Sequence, residues 1–324
     1  MLPPELEAQS LLLPASENHS IVIVTGNALR YRRFAYRILQ EFGEEVVAWY
    51  ELDSSISPKE AKTKNHPSSS IATPSKYQKL TAKLKELPRT LSRYGLIATF
   101  KKFTSLANDA YYRFVVLRNQ GRAMQQAEER LFAEEIAMIQ KKISRQPVRI
   151  HPSDVHTTWF KEEIAAIDPY FFLTLSGSLY RKPLLETIRG AAINQHAGHS
   201  PLYKGSNTIH WALYHRDLSA VSATVHITTT GADAGQILRR SNPALFPDDE
   251  VHTVFLRSVA LGTELMIESV REIMRDKTVT VFAQPEGTGK TYLNKAYDFP
   301  IMKALFRDFC TGWFKTALYR RRDF

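Results

Sequence analysis

The sequence predicts an α/β fold, with a mostly parallel twisted sheet, helices on both faces and a helical insertion. The apolar, β-branched run at 21–24 ends in the turn Thr25-Gly26-Asn27, and a helix-like stretch follows at 28–42. Strand, turn and helix in this order are typical of the first unit of a parallel sheet. Strand-like and helix-like stretches then alternate along the chain, which favours the same fold class. With 44% hydrophobic residues, the chain has enough apolar side chains for a large core.

The remaining elements follow in order from length, periodicity and turn signals. A long amphipathic helix is predicted at 249–275, where apolar residues recur at roughly helical spacing. Predicted strands lie at 44–50, 170–175, 223–227 and 278–283. Shorter helices are predicted at 160–167, 182–188 and around Trp211.

The domain organisation follows from a change in composition near residue 53. Residues 53–75 are rich in Ser, Lys and Pro and predict a flexible segment, and a helical pattern continues from there to residue 145. The predicted parts are an N-terminal extension at 1–19, a main domain at 20–297 with an insertion at about 53–147, and a helical basic tail at 298–324.

Charge and cysteine content restrict the function classes. Lys and Arg number 43 and Asp and Glu 33, which gives a net charge of +10 and favours anionic partners without choosing among them. A single cysteine, Cys310, excludes an internal disulfide and a thiolate metal cluster. There is no signal-peptide pattern and no apolar run near the ~20 residues of a membrane helix, so we expect a soluble, cytoplasmic protein without a membrane partner.

Three polar residues near strand ends have types suited to acyl transfer onto an amine. Asn194 and His196 are two apart in an extended segment, so their side chains point to the same side. The amide can donate to a developing oxyanion, and the imidazole can donate or move a proton. A carboxylate at Asp233, in a turn flanked by glycines, would hold the ring. His226 is interpreted as a strand residue packed under the Asp233 turn.

Several short motifs occur together in a fixed order: Asn194-Gln195-His196, the loop 199–205, Thr224-Val225-His226 and the segment 233–238. In this order they resemble the folate-dependent formyltransferases, which include glycinamide ribonucleotide transformylase, methionyl-tRNA formyltransferase and sugar N-formyltransferases. The resemblance extends over 21–294 apart from the insertion. It implies a Rossmann-like formyltransferase domain, 10-formyltetrahydrofolate as co-substrate, and Asn194, His196 and Asp233 as the catalytic set.

The resemblance also implies binding residues. For the folate these are Ser176, Gly177, Ser178, Leu179, Thr229, Thr230, Gly231 and Ala232. For the acceptor they are Gly26, Asn27, Arg30, His199, Ser200 and Lys204. The loop reads HAGHSPLYKG, which departs from the family's S-L-L-P sequence and leaves that wall of the pocket less defined.

The predicted reaction is formyl transfer to a primary amine, with an amino sugar on a nucleotide as the acceptor class. After the core the tail is too short for the extra barrel of methionyl-tRNA formyltransferase, which disfavours initiator tRNA. Hydrolysis of formyltetrahydrofolate and transfer of another one-carbon or carbamoyl group stay open. So does a non-enzymatic nucleic-acid-binding module, although the basic face at 76–93 is interpreted as solvated. A homodimer is also left open.

Two other signals are interpreted as non-functional. Gly287-Thr288-Gly289-Lys290-Thr291 imitates a P-loop, but the first glycine of that motif is replaced by Gln284, which disfavours ATP binding. No metal site is predicted, because zinc on His196, His199 and Asp233 would leave Asn194 without a role.

Overall fold

The computed structural model describes residues 6–17, 19–59, 104–114, 118–175, 179–276 and 278–322. Two compact units divide the chain: Met1–Glu60 together with Arg122–Phe324, and Ala61–Gly121. The described part of the second unit contains a helical segment at 104–112 and the first residues of a longer helix. The basic face at 76–93 lies outside the described residues, and the predicted domain limits stay predictions. Within the described residues, none of the helices has the length and apolar character that crossing a membrane requires.

The strands and helices are as follows. The strands are β1 Ala8–Leu12, β2 Ile21–Gly26, β3 Val46–Leu52, β4 Val148–Ile150, β5 Phe171–Leu175, β6 Ala191–His196, β7 Tyr203–Gly205, β8 Ala223–Ile227, β9 Ile237–Ser241, β10 Thr278–Phe282 and β11 Lys290–Tyr292. The helices used below are α1 Leu29–Phe42, α2 Arg118–Gln140, α3 Thr158–Ile167, α4 Lys182–Leu185, α5 Thr208–Tyr214, α6 Val251–Arg275, α7 Phe299–Cys310 and α8 Trp313–Arg322.

Nine strands form one sheet in the order β1-β10-β9-β8-β6-β5-β2-β3-β4. From β4 to β6 all neighbours are parallel, and from β6 to β1 all neighbours are antiparallel. These pairings mean that β8 and β10 run against the other seven strands. The prediction of a mostly parallel sheet is therefore confirmed, and the seam between the two halves lies between β6 and β8.

Alternating side chains of β2 pack on two different helical layers. Ile21 and Ile23 belong to the core cluster that also contains apolar residues of α1, α2 and α6. Val22 and Val24 belong to a second cluster with Phe160 of α3. A strand that is buried on both faces carries an uninterrupted apolar run, which is why this sequence predicts a central parallel strand.

A third apolar cluster lies beside the sheet and is built from α5, α7 and α8. The small parallel pair β7 and β11 joins it through the stacked rings of Tyr203 and Tyr292, whose centroids are 5.7 Å apart. Trp211 of α5 stacks on Tyr292 at 4.7 Å. This cluster positions α5 next to the seam of the main sheet.

The elements predicted from periodicity are present with small shifts at their ends. The strand predicted at 44–50 lies at Val46–Leu52, and the helix predicted at 249–275 begins at Val251. The helix predicted at 182–188 ends earlier, at Leu185. The structure adds strands at Ala8–Leu12 and Ile237–Ser241 that the sequence patterns did not predict.

Candidate active site

The polar residues of interest meet at the seam of the sheet. Strand β6 ends in Asn194, Gln195 and His196, and the antiparallel β8 places His226 opposite Asn194. A cleft of about 740 Å³ opens above this point, and Asn194, His196, His226 and Asp233 all line it. The change from parallel to antiparallel pairing therefore brings the end of β6 and the turn after β8 to one place.

Asp233 is the centre of the arrangement. It lies in the turn between β8 and β9 with a positive φ of 47°. Its Oδ2 accepts a hydrogen bond from the backbone N–H of Gly205 at 2.7 Å and lies 3.3 Å from Nδ1 of His196. Its Oδ1 lies 3.3 Å from Nε2 of His226. The carboxylate thus connects the ends of β6, β7 and β8.

Asn194 is held so that its amide nitrogen faces this carboxylate. The hydroxyl of Thr174 donates to Oδ1 of Asn194 at 2.8 Å, which fixes the orientation of the amide. Nδ2 lies 3.2 Å from Nε2 of His226 and 3.4 Å from Oδ1 of Asp233. Nε2 of His226 and Oδ1 of Asp233 are only 3.3 Å apart, so both lie on the same side of the Asn194 amide group. One N–H can serve both, which leaves the other N–H for a ligand.

His196 is enclosed by the loop that follows it. Nε2 of His196 hydrogen-bonds the carbonyl oxygen of Tyr203 at 2.9 Å, and the side chain is 7% exposed. Gly198 lies against this ring, so that a Cβ at position 198 would overlap the imidazole and the hydroxyl of Thr208. The ring therefore has one orientation, with Asp233 and Tyr203 at its two nitrogens.

The electrostatics of the cluster favour an ionised Asp233. Burial alone would raise the pKa of Asp233, but the rings of His196 and His226 and the N–H of Gly205 outweigh it. The pKa of Asp233 is therefore held well below its usual range, and the group is a carboxylate at neutral pH.

The structure brings some of the predicted binding residues to the cleft. Those that line it are Arg30, Leu179, Thr229, Gly231 and Ala232, together with the three predicted catalytic residues. The predicted residues that do not line it are Gly26, Asn27, His199, Ser200, Lys204 and Thr230. The other predicted folate residues, Ser176, Gly177 and Ser178, lie outside the described residues.

Ser200 illustrates why the loop residues face away from the cleft. It is fully buried, and its N–H donates to the hydroxyl of Thr224 at 3.3 Å. Its carbonyl oxygen accepts from Nη1 of Arg240 at 2.8 Å. Lys204 lies in β7, paired with Thr291 of β11. These backbone contacts hold the loop in place beside the site.

Arg30 reaches the cleft but is not a free cation. Its guanidinium forms an ion pair with Glu128 of α2 and donates to the hydroxyl of Tyr31 at 3.1 Å. Two further arginines of α1 are also paired, Arg32 with Glu51 and Arg33 with Glu135. The basic opening of the sequence is thus largely neutralised by carboxylates.

Sequence reasoning missed two residues that matter to the site. Gln195 points away from the cleft's polar cluster into α6, where its Nε2 donates to the carbonyl of Val259 at 2.7 Å. It packs against Gly262, which has no side chain to obstruct it. His210 of α5 also lines the cleft. A buried glutamine between two polar strand residues is a visible signal, whereas a single histidine in an apolar helix is not.

The segment that imitates a P-loop has a different conformation. Lys290 begins β11 and pairs with Tyr203, so no helix starts there to hold a phosphate. Just before it, Gln284 donates to the carbonyl oxygens of Asp233 and Gly235 at 2.9 Å and 2.6 Å. This part of the chain therefore supports the Asp233 turn.

Comparison with known proteins identifies relatives of the central part of the chain. Residues 108–270, half of the chain, match the family described as formyl transferase. A methionyl-tRNA formyltransferase of Desulfotalea psychrophila is 30% identical over 155 residues, which cover 44% of this chain and 47% of the relative. One of Myxococcus xanthus is 28% identical over 127 residues, covering 39% and 40%. The chain spans less than half the length of these relatives.

Two solved structures are also similar, at low identity. A sugar N-formyltransferase from Shewanella sp. is 11% identical, with a TM-score of 0.47 over 86% of this chain and 78% of that one. A glycinamide ribonucleotide transformylase from Symbiobacterium toebii is 16% identical, with a TM-score of 0.43 over 80% and 90%. These similarities do not identify the substrate of this chain.

Proposed function

We propose that this chain, which belongs to the formyl transferase family, transfers a formyl group from 10-formyltetrahydrofolate to a primary amine. The observation that carries the proposal is the convergence of Asn194 and His196 on the carboxylate of Asp233 at one point of a large cleft. Donors grouped around a fixed carboxylate, next to a space that holds two reactants, suit acyl transfer.

Each residue of the set has a distinct part in this reaction. The N–H of Asn194 that faces the cleft would donate to the formyl oxygen as negative charge develops there. Asp233 would hold the ring of His196, and its lowered pKa makes it a poor acceptor for the amine's proton. His196 is then the remaining member of the set for proton transfer, which requires one ring nitrogen to leave its protein partner, Asp233 or the carbonyl of Tyr203.

The cleft offers walls that fit a folate. Leu175 and Leu179 supply apolar surface on one side, and Thr229, Gly231 and Ala232 supply a loop on the other. Few polar groups in a mostly apolar wall are typical of sites for flat aromatic cofactors. When bound, the folate would supply the activated formyl group.

The acceptor class within this proposal is an amino sugar on a nucleotide, in a soluble, cytoplasmic enzyme. It is supported by the resemblance of the ordered motifs to the sugar N-formyltransferases and by the absence of an uncompensated cation among the described cleft residues near the amine. A second acceptor, an aminoacyl-tRNA, is favoured by a different observation, the 155-residue match to a methionyl-tRNA formyltransferase.

One incubation tests the reaction and separates the acceptors. The protein is mixed with 10-formyltetrahydrofolate and, separately, with nucleotide-linked amino sugars, methionyl-tRNA and free amino acids, and products are detected by mass spectrometry as a gain of CO. We expect formylation of an amino sugar, lost when Asn194→Ala and His196→Ala are combined. Formate release without a formylated amine would identify a hydrolase, and product formation by the double variant would refute the proposed catalytic set.

A further inference from the structure

His210 differs from the other two histidines of the cleft in its hydrogen bonding. Both ring nitrogens of His196 face protein oxygens, as do both ring nitrogens of His226. His210 is 8% exposed and lines the same cleft, but its Nδ1 is buried with no hydrogen-bond partner in the part of the chain that the structure describes. Nε2 is not among the buried nitrogens and has no hydrogen bond to the described residues, so it is the ring nitrogen that a ligand in the cleft can reach.

The surroundings of His210 are aromatic. Its ring lies 5.7 Å from that of Phe255 and 5.2 Å from that of Tyr297, measured between centroids. Burial, and to a smaller extent the neighbouring His252, lowers the pKa of His210 to about 3. The imidazole is therefore uncharged at neutral pH and offers one N–H donor and one lone-pair acceptor.

His210 belongs to one continuous wall of the cleft, which we call the acceptor wall: Arg30, Tyr31, Met124, His210 and Phe255. Phe255 joins its two ends, because its ring lies 5.8 Å from Cζ of Arg30 and 5.7 Å from the ring of His210. None of these five residues is among those that the resemblance assigns to the folate. The positive charge of Arg30 is met by Glu128, so the wall presents no uncompensated charge among its described members.

We propose that His210 determines acceptor specificity by exchanging hydrogen bonds with a hydroxyl group of the acceptor, which makes the acceptor a hydroxylated amine. A hydroxyl both donates and accepts, so it can pair with Nε2 in either tautomer of the neutral imidazole. An anionic group would find only the paired Arg30, and an alkyl group would leave Nε2 unpaired. This inference rests on the proposed function and narrows its acceptor.

The test uses a nucleotide-linked amino sugar and its analogue that lacks the hydroxyl next to the amine. With the unaltered protein, we expect kcat/KM to be about tenfold higher for the hydroxylated sugar, the size of one neutral hydrogen bond. His210→Phe should turn over both sugars equally, whereas His210→Asn, which keeps an uncharged donor and acceptor, should restore part of the preference. His252→Phe is the matched control, because His252 is also a buried histidine but does not line the cleft.

Binding of the same two sugars, measured by calorimetry without a formyl donor, separates the two possible failures. Binding that favours the hydroxylated sugar, without any formylation, would support the His210 contact and refute the proposed reaction. Equal affinity or equal turnover of both sugars by the unaltered protein would overturn the role of His210 and leave formyl transfer intact. A preference that persists in His210→Phe, or binding of neither sugar, would overturn it too.

Discussion

The Asp233 cluster and the acceptor wall face the same cleft but satisfy their polar groups in opposite ways. In the cluster, Asn194, His196 and His226 all lie within hydrogen-bonding reach of Asp233. In the wall, Nδ1 of His210 has no such partner among the described residues. Apart from the second N–H of Asn194, the polar groups of the cluster are therefore paired before any ligand arrives, whereas His210 in the wall has a ring nitrogen left for a ligand. Preorganised charge suits chemistry, and open hydrogen-bonding capacity suits recognition.

The two regions also differ in what holds them. The cluster is fixed by strand ends and by the backbone N–H of Gly205, whereas the wall is carried by side chains of α1, α2, α5 and α6. Changes in the cluster should therefore act on kcat, and changes in the wall on the KM of the acceptor.

The largest effect is expected from Asp233→Asn. The substitution replaces the carboxylate by an amide with a single oxygen and removes the charge, so at least one of the four partners of Asp233 loses its acceptor. We expect kcat to fall roughly 10³-fold or more, by analogy with removal of the orienting carboxylate in other enzymes. Steady-state kinetics with 10-formyltetrahydrofolate and the acceptor found above measure it.

The matched control is Asp276→Asn, because Asp276 lies at the end of α6, does not line the cleft and accepts hydrogen bonds from Arg275. It should leave kcat within a few-fold of the unaltered protein. A decrease of the same size in both variants would mean that loss of any acidic residue, and not of the Asp233 cluster, lowers activity.

A smaller effect is expected from Gly198→Ala, which tests whether the ring position of His196 matters. The added methyl group would overlap the imidazole of His196 and the hydroxyl of Thr208. We expect the ring to be displaced, kcat to fall roughly 10²-fold, and stability to decrease by about 1–3 kcal/mol. Gly121→Ala is the control, since a Cβ there meets nothing within 4 Å. Unchanged kcat in Gly198→Ala would show that the cluster tolerates movement of His196.

The sheet was predictable to the extent that its strands are buried. Ile21–Gly26 and Phe171–Leu175 carry continuous apolar runs because both of their faces are covered. The edge strand Ala8–Leu12 is largely exposed and pairs with Thr278–Phe282, far away in the sequence. Its residues carry no burial pattern, and no local rule links segments so distant. Ile237–Ser241 differs, because only its first two residues are buried and Arg239 and Arg240 follow them, so its sequence lacks an apolar run.

The site was predictable where the strand period controls it. Asn194 and His196 both reach Asp233, as their spacing of two predicted, and His226 packs under the Asp233 turn as expected. The loop after β6 was less predictable, because the Ser200 backbone turns to Thr224 and Arg240 only through tertiary contacts. His210 had no partner at a recognisable spacing, so the sequence alone gave it no role.

The smallest effect is expected from His210→Phe on the pH dependence of stability. It tests whether the ring in the acceptor wall is uncharged. The pKa of His210 is about 3 in the folded protein, against an ordinary value of 6.5, since burial disfavours the charged ring. Between these values the unfolded chain binds a proton that the folded chain does not, so stability falls as the pH drops below about 6.5. His252, whose pKa burial also lowers, acts in the same direction.

Replacing His210 by Phe removes the part of this loss of stability that comes from His210. Urea unfolding should therefore show that the unaltered protein loses about 2 kcal/mol more than His210→Phe between pH 7 and pH 5. Equal losses in the unaltered protein and in His210→Phe would mean that the folded chain binds a proton at His210 as readily as the unfolded chain does, and the uncharged ring that the wall requires would not persist at pH 5.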